Sequence, residues 1–134
     1  MLHLLLLSML ADPFVGTWKL EAPAGDKAAQ HYDSFVVVIT ATDVGHKWSY
    51  DLTLKGNPKH MKFVILTDRK AGTFKMMSED GKVVSEGKLT VKNPREWELE
   101  GPNHKGHGNI SADGKTITSV TTAPMPATHV LEKQ

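Results

Sequence analysis

The feature that most limits the possible folds of this chain is a succession of short segments in which apolar and polar residues alternate. In segment 46–55 the apolar set is Trp48, Tyr50, Leu52 and Leu54, and the polar set is Ser49, Asp51, Thr53 and Lys55. A period of two is typical of a strand with one buried face. Asp-Gly pairs at 80–81 and 113–114 are typical of hairpin turns. The sequence therefore predicts antiparallel strands joined by short turns.

The same pattern extends along almost the whole chain. Strands are predicted at 14–20, 34–42, 46–55, 60–67, 73–78, 82–91, 95–101, 103–111, 115–123 and 128–133, with a bulge at Gly87. An open sheet of this length would leave two exposed edges, and pairing the first strand with the last removes them. We therefore predict one all-β domain over residues 12–134: a single antiparallel up-and-down (meander) β-barrel of about 8–10 strands with little helix.

Length and charge narrow the possible partners. The 134 residues suffice for one domain with a single core. The net charge is +1, from 16 basic and 15 acidic residues mixed along the chain, so no basic patch for nucleic acid or an anionic membrane is indicated. The chain has no cysteine, which excludes disulfides, thiol nucleophiles and thiolate metal sites. We expect no nucleic-acid partner and, by default, a monomer.

Residues 1–11 form an apolar leader that ends at Ala11, just before Asp12 and Pro13. The leader is too short to cross a bilayer, which takes about 20 residues, so no transmembrane segment is expected. It resembles the end of a secretory signal, although it lacks basic residues and Met9 suits a cleavage site poorly. We expect a signal remnant and hence an exported protein, periplasmic or secreted. The alternatives are a helix over a barrel mouth and a remnant of cloning.

The segment between the first two predicted strands, 22–33, is rich in proline, glycine and alanine. Asp26 is suited to cap a short helix over residues 27–31. Such a helix would lie across one end of the barrel, either as a lid or as a plain connection.

The first predicted strand holds Gly16 and Trp18 on the same face. Because Gly16 has no side chain, a neighbouring backbone can approach closely there, while Trp18 fills the space beyond. Segment 16–20, Gly-Thr-Trp-Lys-Leu, resembles the opening strand of the calycins, the superfamily of lipocalins and fatty-acid-binding proteins. Segment 128–133, Thr-His-Val-Leu-Glu-Lys, resembles the last strand of the fatty-acid-binding proteins, Thr-Arg-Val-Tyr-Glu-Lys.

The chain is also similar to small bacterial lipocalin-like domains, which begin Asp-Pro-Phe-Val-Gly-Thr-Trp-Lys-Leu and end Glu-Lys-Gln. The resemblance implies a barrel that binds a small hydrophobic or lipid-like ligand. It also implies that His129 and Leu131 point inward, where the family has an arginine and a tyrosine that hold a carboxylate. Since burial favours a neutral imidazole, neutral apolar ligands should bind better than fatty acids, whose binding should strengthen as the pH falls.

The predicted inner face is rich in aromatic and thioether side chains, which suit an adaptable apolar pocket. The candidate ligand-binding residues are Phe35, Val37, Trp48, Tyr50, Leu52, Met61, Phe63, Phe74, Met76, Arg95, Trp97, His129 and Leu131, and Ile65 and Leu99 share their face. Arg95 has the parity of Trp97, so it could meet an anion from a barrel end, although Pro94 before it favours a rim position. The same apolar residues would also serve as a closed core.

Few residues suggest catalysis. The sequence contains no Gly-x-Ser-x-Gly elbow, phosphate loop or His-Glu-x-x-His motif. His104 and His107 would fall on opposite faces of a strand, which favours surface histidines over a shared metal. Glu96, Glu98 and Glu100 fit one solvated face. We expect no catalytic residue, cofactor or metal. The alternatives to binding are a small enzyme that uses His129 or Tyr50 for proton transfer, and a closed-core structural or interaction domain.

Overall fold

The computed structural model describes residues 12–21, 31–123 and 126–134. These residues form ten strands: β1 (Gly16–Leu20), β2 (Tyr32–Ala41), β3 (Gly45–Leu54), β4 (His60–Asp68), β5 (Thr73–Ser78), β6 (Val83–Asn93), β7 (Glu96–Gly101), β8 (His104–Ile110), β9 (Thr116–Ala123) and β10 (Ala127–Lys133). All neighbouring strands pair antiparallel, and β1 also pairs with β10, so the sheet closes on itself. The predicted all-β up-and-down barrel is confirmed.

Two predictions concern segments outside the described residues. The apolar leader, 1–11, is one, and the segment 22–30, which holds most of the candidate helix and its cap, is the other. Among the described residues, no helix has the length and apolar character needed to cross a membrane.

The predicted hairpin turns at Asp80-Gly81 and Asp113-Gly114 are present. Gly81 and Gly114 have φ angles of 85° and 71°, which side-chain-bearing residues rarely adopt. The carboxylate of Asp113 accepts hydrogen bonds from the Ser111 hydroxyl at 2.6 Å and the Lys115 amide at 3.0 Å. These bonds stabilise the charged form and hold the pKa of Asp113 below its usual value. Glycine backbone freedom and aspartate acceptors therefore set the strand connections.

Trp18, whose side chain is fully buried, lies where the barrel closes. Trp18 lies opposite Lys133 of β10 on one side and Val37 of β2 on the other. Its indole N–H donates to the carbonyl of Phe14 at 2.9 Å, so the segment before β1 is held against the core. The close approach at Gly16 is made by the side chain of Lys133 rather than by a backbone, which corrects the sequence prediction.

Gly87 is not a bulge, contrary to the prediction. It pairs in regular register with Phe74, and the irregularities of β6 lie nearer its two ends. A Cβ atom at this position would overlap the carbonyl oxygen of Glu100 on β7. Gly87 is therefore needed for the close approach of two backbones.

Candidate functional site

The interior of the barrel holds a cavity of about 260 Å³. Its lining is Tyr32, Phe35, Trp48, Tyr50, Leu52, Met61, Phe63, Ile65, Thr67, Met76, Trp97, Leu99, His104, Ser119, Thr121, His129 and Leu131. A cavity of about 150 Å³ with apolar walls is enough to hold benzene. The interior is therefore a lined cavity with room for a small organic molecule, in addition to a packed core.

The cavity brings together all the candidate residues except Val37, Phe74 and Arg95. Val37 and Phe74 point inward but are fully buried in the packed core, with 0% and 1% of their surface exposed. Arg95 is exposed near the turn between β6 and β7, where its amide donates to the side chain of Asn93 at 2.9 Å. Arg95 lines surface depressions beside Pro94 and Ser111, away from the cavity.

One wall of the cavity is apolar and comes from β3, β4 and β5. Trp48, Tyr50, Leu52, Met61, Phe63, Ile65 and Met76 form it. The rings of Tyr50 and Phe63 are stacked, with centroids 4.5 Å apart and planes 9° from parallel. Phe35, on β2, packs edge-on against Tyr50 at 6.0 Å. This wall offers flat, apolar surfaces suited to a ring or a short alkyl chain.

A polar sector lies on β8, β9 and β10, and we define it as His104, Ser119, Thr121 and His129. Ser119 is directly opposite His129 in the register of β9 and β10. Thr121 is two residues from Ser119 and therefore on the same face. The ring of His129 is stacked on Phe35, with centroids 5.2 Å apart and an angle of 27°. The sector thus groups hydroxyl and imidazole groups on three adjacent strands.

The sequence prediction missed Tyr32, Thr67, His104, Ser119 and Thr121. His104 was expected at the surface, but it is half-buried and lines the cavity. His107 is exposed, so the two histidines do lie on opposite faces. β8 carries glycines at 106 and 108, and β9 has polar residues on both faces. Alternation therefore contains no hydrophobic signal that would identify the inner face of these strands.

The lining contains no lysine, arginine, aspartate or glutamate within the described part of the chain. Burial raises the pKa of Tyr32 and raises that of Tyr50 far above its usual value. Burial also lowers the pKa of His104. In each case the low-polarity surroundings disfavour the charged form. At neutral pH the two phenols are protonated and the His104 imidazole is neutral.

The polar side-chain atoms of several lining residues form no hydrogen bond within residues 12–21, 31–123 and 126–134. Tyr50, Ser119, Thr121 and His104 are in this state. Thr67 differs, because its hydroxyl donates to the carbonyl of His46 at 3.2 Å. A polar group in a low-polarity cavity is destabilising unless a partner satisfies it. These groups are therefore available to a molecule inside the barrel.

One end of the cavity is closed by three aromatic rings. Phe14, Trp48 and Trp97 lie against one another, with ring centroids 5.4 to 6.0 Å apart. Gly108 makes room for Trp97, since a Cβ atom there would be 2.5 Å from the indole ring. Beyond these rings lies a small cavity of about 30 Å³. We call Phe14, Trp48 and Trp97 the aromatic plug.

The segment before β1 is fastened next to the plug. The carboxylate of Asp12 lies 2.9 Å from Nε2 of His46, whose side chain is buried. The Phe14 ring packs on the same imidazole at 5.1 Å. At the opposite end of the cavity Met61 is 41% exposed, so the cavity reaches the surface there. We call that end of the barrel the mouth. β1 ends and β2 begins at the same end of the barrel.

The sequence suggests Tyr50 or His129 for proton transfer, and both side chains line the cavity. Burial raises the pKa of Tyr50, which disfavours the phenolate that a general base would use. Tyr50 and His129, the two residues suggested for proton transfer, both pack against the ring of Phe35. Within the described ranges, no group of three histidine, aspartate or glutamate side chains is placed to hold a metal ion.

No family model matches the sequence, and no curated protein matches it.

The lowered pKa of His104 predicts a dependence of stability on pH. In the unfolded chain His104 binds a proton more readily than in the barrel. The contribution of the neutral imidazole to the free energy of unfolding is therefore fully present above about pH 6.5. That contribution is lost as the pH falls through this value towards the folded pKa. Between about pH 8 and pH 5, we expect the melting temperature of His104→Gln to fall by less than that of the wild type. Equal losses in the two proteins would contradict burial of this imidazole.

Proposed function

We propose that the protein binds one small hydrophobic or amphipathic molecule inside its barrel. The observation that supports this most directly is the cavity of about 260 Å³. It has an apolar wall on one side and, on the other, the hydroxyl groups of Ser119 and Thr121, which form no hydrogen bond within the described residues. Ligand sites in proteins are typically concave and mostly apolar, with a few convergent polar groups. The cavity has this composition, and its mouth provides a route of entry.

The resemblance to the calycins supports the same function. Segments 16–20 and 128–133, which resemble the first and last strands of that superfamily, pair with each other in this barrel. We infer that the chain is a lipocalin-like binding protein. Its apolar leader supports export from the cytoplasm. The position of the family's carboxylate-binding arginine is held here by His129, so the ligand need not be a fatty acid.

The proposal predicts that a neutral bicyclic alcohol, naphthol, binds with one molecule per chain. A ligand of this size, at a typical efficiency of about 0.6 kcal/mol for each non-hydrogen atom, should have a dissociation constant of about 10 µM. Isothermal titration calorimetry at neutral pH measures both affinity and stoichiometry. The absence of binding, or weak binding of several molecules per chain, would contradict the proposal.

A further inference from the structure

The cavity also limits which molecules can occupy it. Resting on the function proposed above, we propose that the occupant is a compact, uncharged amphiphile of about ten non-hydrogen atoms. Its ring or short chain lies against the wall of β3, β4 and β5. Its hydroxyl or carbonyl group faces the polar sector.

The size follows from the volume of the cavity. Benzene, with six non-hydrogen atoms, occupies an apolar cavity of about 150 Å³. By the same ratio, the cavity of about 260 Å³ accommodates about ten non-hydrogen atoms. The aromatic plug blocks extension at one end, because Phe14 is buried and packs on both Trp48 and Trp97. A long acyl chain would therefore leave many of its carbons outside.

The absence of charge follows from the composition of the lining. No permanently charged side chain lines the cavity within the described residues. A carboxylate entering the cavity would lose its hydration without gaining a fixed cation, which is strongly unfavourable. Arg95, the cation that the sequence suggested as an anchor, is exposed and away from the cavity. An uncharged molecule avoids this loss.

The orientation follows from the two unlike walls. Ser119 and Thr121 have hydroxyl groups without side-chain partners within the described part of the barrel, and both can donate or accept a hydrogen bond. The wall opposite has the stacked pair Tyr50 and Phe63. A ligand with one polar end satisfies the first surface and buries its apolar part against the second. A purely apolar ligand would leave the hydroxyl groups without a partner.

The first test uses linear alcohols from butanol to dodecanol, measured by displacement of naphthol. Affinity should rise about fourfold for each added methylene while the chain remains inside. It should level off near decanol, when the cavity is full. Octanoate at neutral pH should bind at least about 100-fold more weakly than octanol. An affinity that continues to rise through dodecanol, or octanoate that binds as tightly as octanol, would overturn the inference.

The second test examines the polar sector. Naphthol should bind about three- to tenfold more tightly than naphthalene in the wild type, through one additional hydrogen bond. Thr121→Val keeps the shape of the side chain, and together with Ser119→Ala it should abolish this preference. Thr122→Val, an exposed position on the same strand, should preserve it. An unchanged preference in the double variant would overturn the assignment of the polar end.

These experiments separate two kinds of failure. If neither naphthol nor any alcohol or acid binds, the proposed binding function itself is wrong. If ligands bind but long or charged ones are preferred, the function stands and the inference about ligand class is wrong. Melting temperatures of the variants show whether each one is folded when it is tested.

Discussion

Trp18→Ala is expected to lower the free energy of unfolding by about 3 to 5 kcal/mol, as truncation of a buried aromatic residue does. Trp18 is fully buried and lies between the strands on either side of β1. The substitution also removes the indole N–H that holds the carbonyl of Phe14. Loss of this side chain therefore weakens both the closure of the barrel and the attachment of the plug.

Urea denaturation monitored by far-ultraviolet circular dichroism measures this loss. Lys19→Ala is the matched control, since Lys19 is the exposed neighbour on the same strand. Its effect should lie within about 0.5 kcal/mol of zero. A loss below about 1 kcal/mol for Trp18→Ala would mean that the β1–β10 junction does not depend on this residue.

Ser119→Phe is expected to weaken naphthol binding about 100-fold or more, because a new ring would occupy the space of the ligand. Ser119 is well placed for this test: it lines the cavity, and it lies between Gly108 on β8 and His129 on β10. Overpacking by the new ring should lower the free energy of unfolding by about 1 to 3 kcal/mol. The variant should therefore remain folded while it loses the site.

Thr122→Phe is the control for this substitution. Thr122 is on the same strand, but it is exposed and outside the cavity lining. The control should bind naphthol like the wild type in a calorimetric titration. Equal affinity in Ser119→Phe and Thr122→Phe would place the bound naphthol somewhere other than the barrel interior.

Strands such as β3 were predictable because one face of the strand is buried and apolar. In β3, alternation places Trp48, Tyr50 and Leu52 on the inner face, and all three line the cavity. Alternation shows which face is inward but contains no information on depth along the barrel axis. Val37 and Phe74 have the predicted inward orientation, yet they pack into the core instead of lining the cavity. That distinction depends on side chains from distant strands.

The polar sector could not be predicted from the sequence for a different reason. Ser119 and Thr121 alternate with Thr118, Val120 and Thr122, so neither face of β9 is distinctly apolar. Their position becomes clear only from the register that sets Ser119 opposite His129 and Gly108. Register is a property of strand pairs, and short-range patterns do not contain it.

The most direct test of a ligand site inside the barrel is nuclear magnetic resonance with isotope-labelled methionine methyl groups. Met61 and Met76 line the cavity, whereas Met77, the neighbour of Met76 on β5, has the opposite parity and is outside the lining. Saturating naphthol should give intermolecular Overhauser effects to the methyl groups of Met61 and Met76 and leave Met77 unchanged. Effects at Met77 without effects at Met76, or none at any of the three, would contradict an internal binding site.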